Sequence, residues 1–133
     1  MATAPPEVSS ALDLVTAALG AIEANGVRTC VLRPSDAGRA CEYDVLIEPG
    51  TAADVVLDAL RKHGFVAIRA LGRHPHRAFL AGLGSSVVKL DIVDRIAFGR
   101  RHELDTDVAA QVLDRRVVSS DGYFEAAPID RRW

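Results

Sequence analysis

Residues 40–50 read ACEYDVLIEPG, and the alternation inside this stretch decides the fold. Successive side chains of a strand point to opposite faces, so Tyr43, Val45 and Ile47 share one side and Glu42, Asp44 and Leu46 the other. The first face is built for a core, whereas the second begins with two carboxylates. Like charges about 7 Å apart along a strand repel each other, and a cation placed between them relieves the repulsion. Pro49 and Gly50 end the strand.

Reading outward from this strand, RTCVLR at 28–33 is a second, short apolar strand. PSDAGRA at 34–40 is rich in turn formers and joins the two as antiparallel neighbours. Upstream, Ser9 or Ser10 caps a helix in which Leu12, Val15, Leu19 and Ile22 recur at helical spacing, with Gly26 as its stop. Downstream, Thr51 with Asp54 three residues later opens a helix carrying Val55, Val56, Ala59 and Leu60 on one face, stopped by Gly64. FVAIRAL at 65–71 and HRAFLAGL at 76–83 form a predicted hairpin. In SSVVKLDIVD, 85–94, Lys89, Asp91 and Val93 lie opposite Val88, Leu90 and Ile92. A short helix is expected at 107–116, and a small edge element around Gly122, Tyr123 and Phe124. The order of elements predicts an α+β fold, a mixed β-sheet with helices packed against it. Residues 1–8 are expected to be a flexible N-terminus and 9–133 a single domain.

The bulk properties agree with one ordinary globular unit: 133 residues, 49% hydrophobic and 26% charged. A formal net charge of −2 argues against a protein that coats duplex nucleic acid, which needs an excess of Lys and Arg. No apolar run reaches the ~20 residues of a membrane span, and MATAPPEVSS lacks the basic-then-apolar layout of a signal peptide. The expectation is therefore a cytoplasmic protein without a membrane partner. Cys30 and Cys41 fit neither a disulfide framework nor a CxxC metal pair, and read as reduced thiols.

Asp91 repeats the position of Asp44, polar within a hydrophobic alternation, with Lys89 beside it. If the strands lie together, Glu42, Asp44 and Asp91 converge. Mg²⁺ favours such oxygen ligands and usually binds through a few carboxylates plus substrate phosphates, so a nucleoside triphosphate with Mg²⁺ suits the set.

With these residues in place, the chain resembles the nucleotidyltransferase superfamily, which has the DNA polymerase beta-like fold. The likeness is strongest to its small domains, often joined to kinase-like domains. The resemblance rests on LRPSDAGRACEYDVLIEP, on GF within RKHGFVAIR, on HPHRAFLAG and on VVKLDIVDRIAFG, in that order over roughly residues 28–100. It implies that Ser35 corresponds to the family's phosphate-binding serine, Glu42 and Asp44 to its paired acids and Asp91 to its third acid. Those three acids would then hold Mg²⁺ and carry catalysis, moving a nucleoside monophosphate from the triphosphate to an acceptor, a small molecule or a protein. Ser35, Arg33, Lys89 and Arg77 would meet the nucleotide phosphates, Arg through its forked donors. Pro34 stands where the family has glycine, and Glu42 where it has aspartate. The alternative reading is a non-catalytic binding or regulatory domain of the same fold that has lost the chemistry at these two positions. A domain this small implies that a homodimer or a partner chain completes the site. His74 and His76, two residues apart in HPHR, read as structural or solvent-exposed more readily than as zinc ligands.

Overall fold

The computed structural model describes residues 10–33, 41–68, 77–98, 104–106 and 108–131. Helix α1, Ala11–Ala24, starts at Ser10, whose Oγ accepts from the Asp13 backbone N–H at 3.1 Å. It is followed by strands β1, Thr29–Arg33, and β2, Cys41–Ile47, which pair antiparallel as the turn-rich connection predicts. Helix α2, Ala53–Arg61, begins differently from expectation. Its N-cap is Ala52 without a side-chain cap, because the Thr51 hydroxyl donates backward to the Glu48 carbonyl at 2.6 Å. Gly26 and Gly64 take φ of 80° and 84° just beyond the two helices, the left-handed turn that favours glycine.

Three strands follow: β3 at Val66–Ile68, β4 at Arg77–Leu83 and β5 at Ser86–Val93. Each is antiparallel to the next, and β5 then lies parallel to β2. A separate two-stranded ribbon, β6 at Ile96–Phe98 with β7 at Leu104–Thr106, precedes helix α3 at Val108–Arg115. The chain returns through β8, Val117–Val118, and β9, Phe124–Glu125, to a 3₁₀ turn at Pro128–Asp130. The result is a mixed seven-stranded sheet in the order β3-β4-β5-β2-β1-β9-β8. The element expected at an edge near Phe124 is β9. It lies inside the sheet, parallel to β1 and antiparallel to β8, so the edge falls to β8.

Each face of the sheet has its own core. Val31, Tyr43, Val45, Ile47, Phe79, Ala81, Val88, Leu90 and Ile92 pack with the apolar stripes of α1 and α2 and with Phe65. On the other face Cys30, Leu46 and Val93 pack with Ala109, Val112 and Leu113 of α3 and with Ala126. Burial on both faces explains why β2 ends in Val45, Leu46 and Ile47 and β5 in Ile92 and Val93, apolar on both sides.

Charged groups tie the C-terminal third to this frame. Arg28 donates to Glu48, with Nε 2.8 Å from Oε2, and to Asp114. Arg115 grips the buried Asp130 with two hydrogen bonds of 3.0 and 2.6 Å. Arg116 donates to Glu23 and to the Thr29 carbonyl, and its guanidinium lies 3.7 Å from the centre of the Phe124 ring. Among the described residues no helix is long and apolar enough to cross a membrane.

Candidate functional site

The carboxylates of the second β2 face meet those of β5 through strand register. Asp44 and Asp91 are direct partners across the parallel pair, and Glu42 partners Lys89 one step earlier. Neighbouring strands run about 4.8 Å apart and same-face residues about 7 Å apart along a strand. Glu42, Asp44, Lys89 and Asp91 therefore form a four-cornered patch, three acids and one base. Asp44, Lys89 and Asp91 are half-buried and Glu42 is exposed.

The patch exists because α3 covers only the far end of this face. Leu46 and Val93 close the register under α3, while the two rows before them carry charge. On β1 the register slips between Val31 and Arg33, a bulge that sets Arg33 opposite Asp44 in place of the Leu32 that simple alternation gives. Arg33 is described by its backbone alone. Ser35, Pro34, His74 and His76 lie outside the described residues.

Arg77 does not join the group expected to meet phosphate. It partners Ile92 and alternates with Ala78, which puts it on the face of Phe79, toward α2. There it lines a small cleft with Ile47, Thr51, Val56, Ile92 and Asp94. The alternation inside HRAFLAGL carries this information, since Arg77 and the buried Phe79 stand two residues apart.

The donor set fits a hard divalent cation to a defined extent. Two carboxylates in register on adjacent strands could offer a pair of oxygen ligands, the number that Mg²⁺ commonly takes from protein beside phosphate and water. Among the described residues no three His, Cys, Asp or Glu side chains are gathered as a metal cluster. Glu42, one row away and exposed, stands at the rim of the pair.

Beyond Asp91 the same rows continue across β4 and β3 in apolar residues. Asp91 is followed by Ala78 and Ile68, and Lys89 by Leu80 and Val66. Val87, on the same face of β5, partners Gly82. No family model, curated protein or solved structure matches the chain.

Proposed function

We propose that the chain is a Mg²⁺-dependent nucleotidyltransferase that moves a nucleoside monophosphate from a triphosphate to a hydroxyl-bearing acceptor. The observation that supports this reading most is the direct register of Asp44 and Asp91 on parallel strands, on the part of the sheet face that α3 leaves open. Asp44 and Asp91 would hold the cation between them, with Glu42 at the rim adding to the negative field and not serving as a third ligand. Bound Mg²⁺ would supply neutralisation of the phosphate charge, which lowers the cost of bringing a nucleophile to phosphorus.

The chain's own groups carry the remaining steps. Lys89, a point charge with three donors, would bind a non-bridging oxygen of the phosphates that leave. An oxygen of Asp91 would take the proton of the acceptor hydroxyl as its oxygen attacks the α-phosphorus in line. The acceptor–phosphorus bond forms, the bond to the bridging oxygen breaks, and pyrophosphate departs with that electron pair. The proton on Asp91 then passes to solvent.

Titration calorimetry with non-hydrolysable nucleoside triphosphates, with and without Mg²⁺, tests the reading. The expected result is binding that requires Mg²⁺ and is lost in Asp44→Asn and Asp91→Asn. Failure of every nucleotide to bind would overturn it in favour of a domain that keeps the sheet without the chemistry.

A further inference from the structure

The charged patch ends abruptly on one side. Between Lys89 and Leu80, one strand spacing, the face turns from charged to aliphatic and stays so to the sheet edge. Val66 and Val87 are 58% and 57% exposed, far outside the core, and Leu80 between them is half-buried. Val66 is the direct neighbour of Leu80, and Val87 stands diagonal to it, so the three side chains are contiguous. Gly82, beside Val87, leaves the floor flat: a Cβ built there meets nothing within 4 Å.

We infer that this shelf of Val66, Leu80 and Val87 seats the apolar ring or hydrocarbon body of a small hydroxyl-bearing molecule, which on the proposed function is the acceptor. Three features select that occupant. The shelf spans three strands, two spacings or about 10 Å, the size of one ring with a substituent. Three aliphatic side chains offer far less than the roughly 800 Å² per partner of a stable protein interface, so a small molecule suits it better than a chain. None of Val66, Leu80, Gly82 and Val87 carries a side-chain hydrogen-bonding group, so the shelf cannot read the polar edge of a nucleobase. A body lying on it holds its hydroxyl over the neighbouring row, where Asp91 stands.

The test uses the full chain with ¹³C-labelled Val and Leu methyls, titrated with cyclohexanol and separately with myo-inositol, a ring of the same size bearing only polar substituents. Saturable shifts of the Val66, Leu80 and Val87 methyls at millimolar cyclohexanol are expected, with an apparent affinity for inositol about tenfold weaker or less. Gly82→Leu fills the open floor and Val87→Ser removes an apolar wall without adding charge beside Lys89. Both substitutions fall at solvent-facing strand positions outside the positive-φ region, so both variants fold. Each should weaken the cyclohexanol response about tenfold while leaving calorimetric binding of the Mg²⁺ nucleotide within about twofold of wild type. Equal response to both rings, or no saturable shift, overturns the shelf. Loss of nucleotide binding in both variants overturns the acceptor assignment and gives the surface to the base. A wild-type chain that takes cyclohexanol but no Mg²⁺ nucleotide sinks the transfer reaction and supports the shelf as a binding surface in its own right.

Discussion

Strands β2 and β5 present one face to two different surroundings. At their carboxyl ends Leu46 and Val93 lie under α3 with Cys30, Val112 and Leu113, a dry contact rimmed by the ion pairs of Arg28, Arg115 and Arg116. In the two rows before them, Asp44 with Asp91 and Glu42 with Lys89 hold the same register with no helix of this cluster above them. The strand register is common to both ends, so the difference lies in the side chains and in what α3 covers. One end is stabilised by burial. The other sets two carboxylates side by side in register, an arrangement that suits a ligand of opposite charge.

The largest effects should separate the two ends on stability. Leu46 is fully buried and Leu46→Ala leaves a cavity, so a loss of about 2–5 kcal/mol is expected in urea denaturation. Asp44→Asn, almost isosteric and at a half-buried position, should change stability by no more than about 1 kcal/mol while removing Mg²⁺-dependent nucleotide binding. Equal stability losses at the two positions would erase the distinction.

A second experiment probes the rim of the covered end. Arg116 and Glu23 are 15% and 24% exposed, and Glu23 also accepts from the Thr29 N–H at 2.7 Å and its hydroxyl at 2.8 Å. Arg116→Ala strips the carboxylate of its cation, uncovers the Phe124 ring and leaves the Thr29 carbonyl short of a donor. Breaking a buried pair costs about 3–5 kcal/mol, and partial exposure reduces this to about 2–3 kcal/mol. Denaturation midpoints of Arg116→Ala and Arg116→Lys give the measure. If Lys restored wild-type stability, the flat contact with Phe124 and the double hydrogen bonding would have no share in it.

How much of this contrast is readable from residues alone follows from the range of the interactions. The alternation of 42–47 and 87–93 is local, and it gives the faces and the core residues, whereas the pairing of Asp44 with Asp91 rests on the register of two strands distant in the chain. The α1 cap at Ser10 is local too. The α2 start misleads, because Thr51 and Asp54 have capping spacing but the Thr51 hydroxyl finds the Glu48 carbonyl first. The interior place of β9 depends on α3 docking onto Cys30 and Leu46 and carrying the chain back beside β1, which no short pattern encodes. The bulge that brings Arg33 opposite Asp44 is equally invisible in RTCVLR. The candidate site is thus legible as a set of acids, whereas its apolar neighbour appears only once β3 and β4 are laid beside β5.

Cys30 gives a smaller, pH-dependent measure of how dry the covered end is. It is fully buried beneath α3, and desolvation pushes its thiol from 9.0 up to about 12. The folded chain holds this proton where the unfolded chain releases it. Its contribution is therefore intact below pH 9 and declines from about pH 9 to about pH 12, at up to ~1.4 kcal/mol per pH unit. In a Cys41→Ser background, stability at pH 10 should fall by about 1 kcal/mol more with Cys30 present than in Cys30→Ala, each relative to pH 8. Identical pH dependence of the two proteins would mean that water reaches the thiol, and that α3 seals this end less tightly than its apolar contacts imply.

The smallest change in stability should come from the open end and have the clearest effect on binding. Lys89 is half-buried at the border between the acids and the aliphatic shelf, with Glu42 its partner across β2. Lys89→Met keeps the length of the side chain and its apolar stem and deletes the charge. A surface charge opposite a carboxylate in such partly solvated surroundings contributes ~0–1 kcal/mol, so denaturation should shift by less than about 0.5 kcal/mol. Nucleotide affinity in the presence of Mg²⁺ should fall about tenfold, the loss of one charge-assisted phosphate contact. A variant that loses stability but keeps its nucleotide affinity would reverse this assignment, because Lys89 would then serve to hold Glu42 and Asp91 together in the fold. Charge at the open end would in that case be part of what stabilises the sheet, and the two ends of the face would differ in chemistry without differing in purpose.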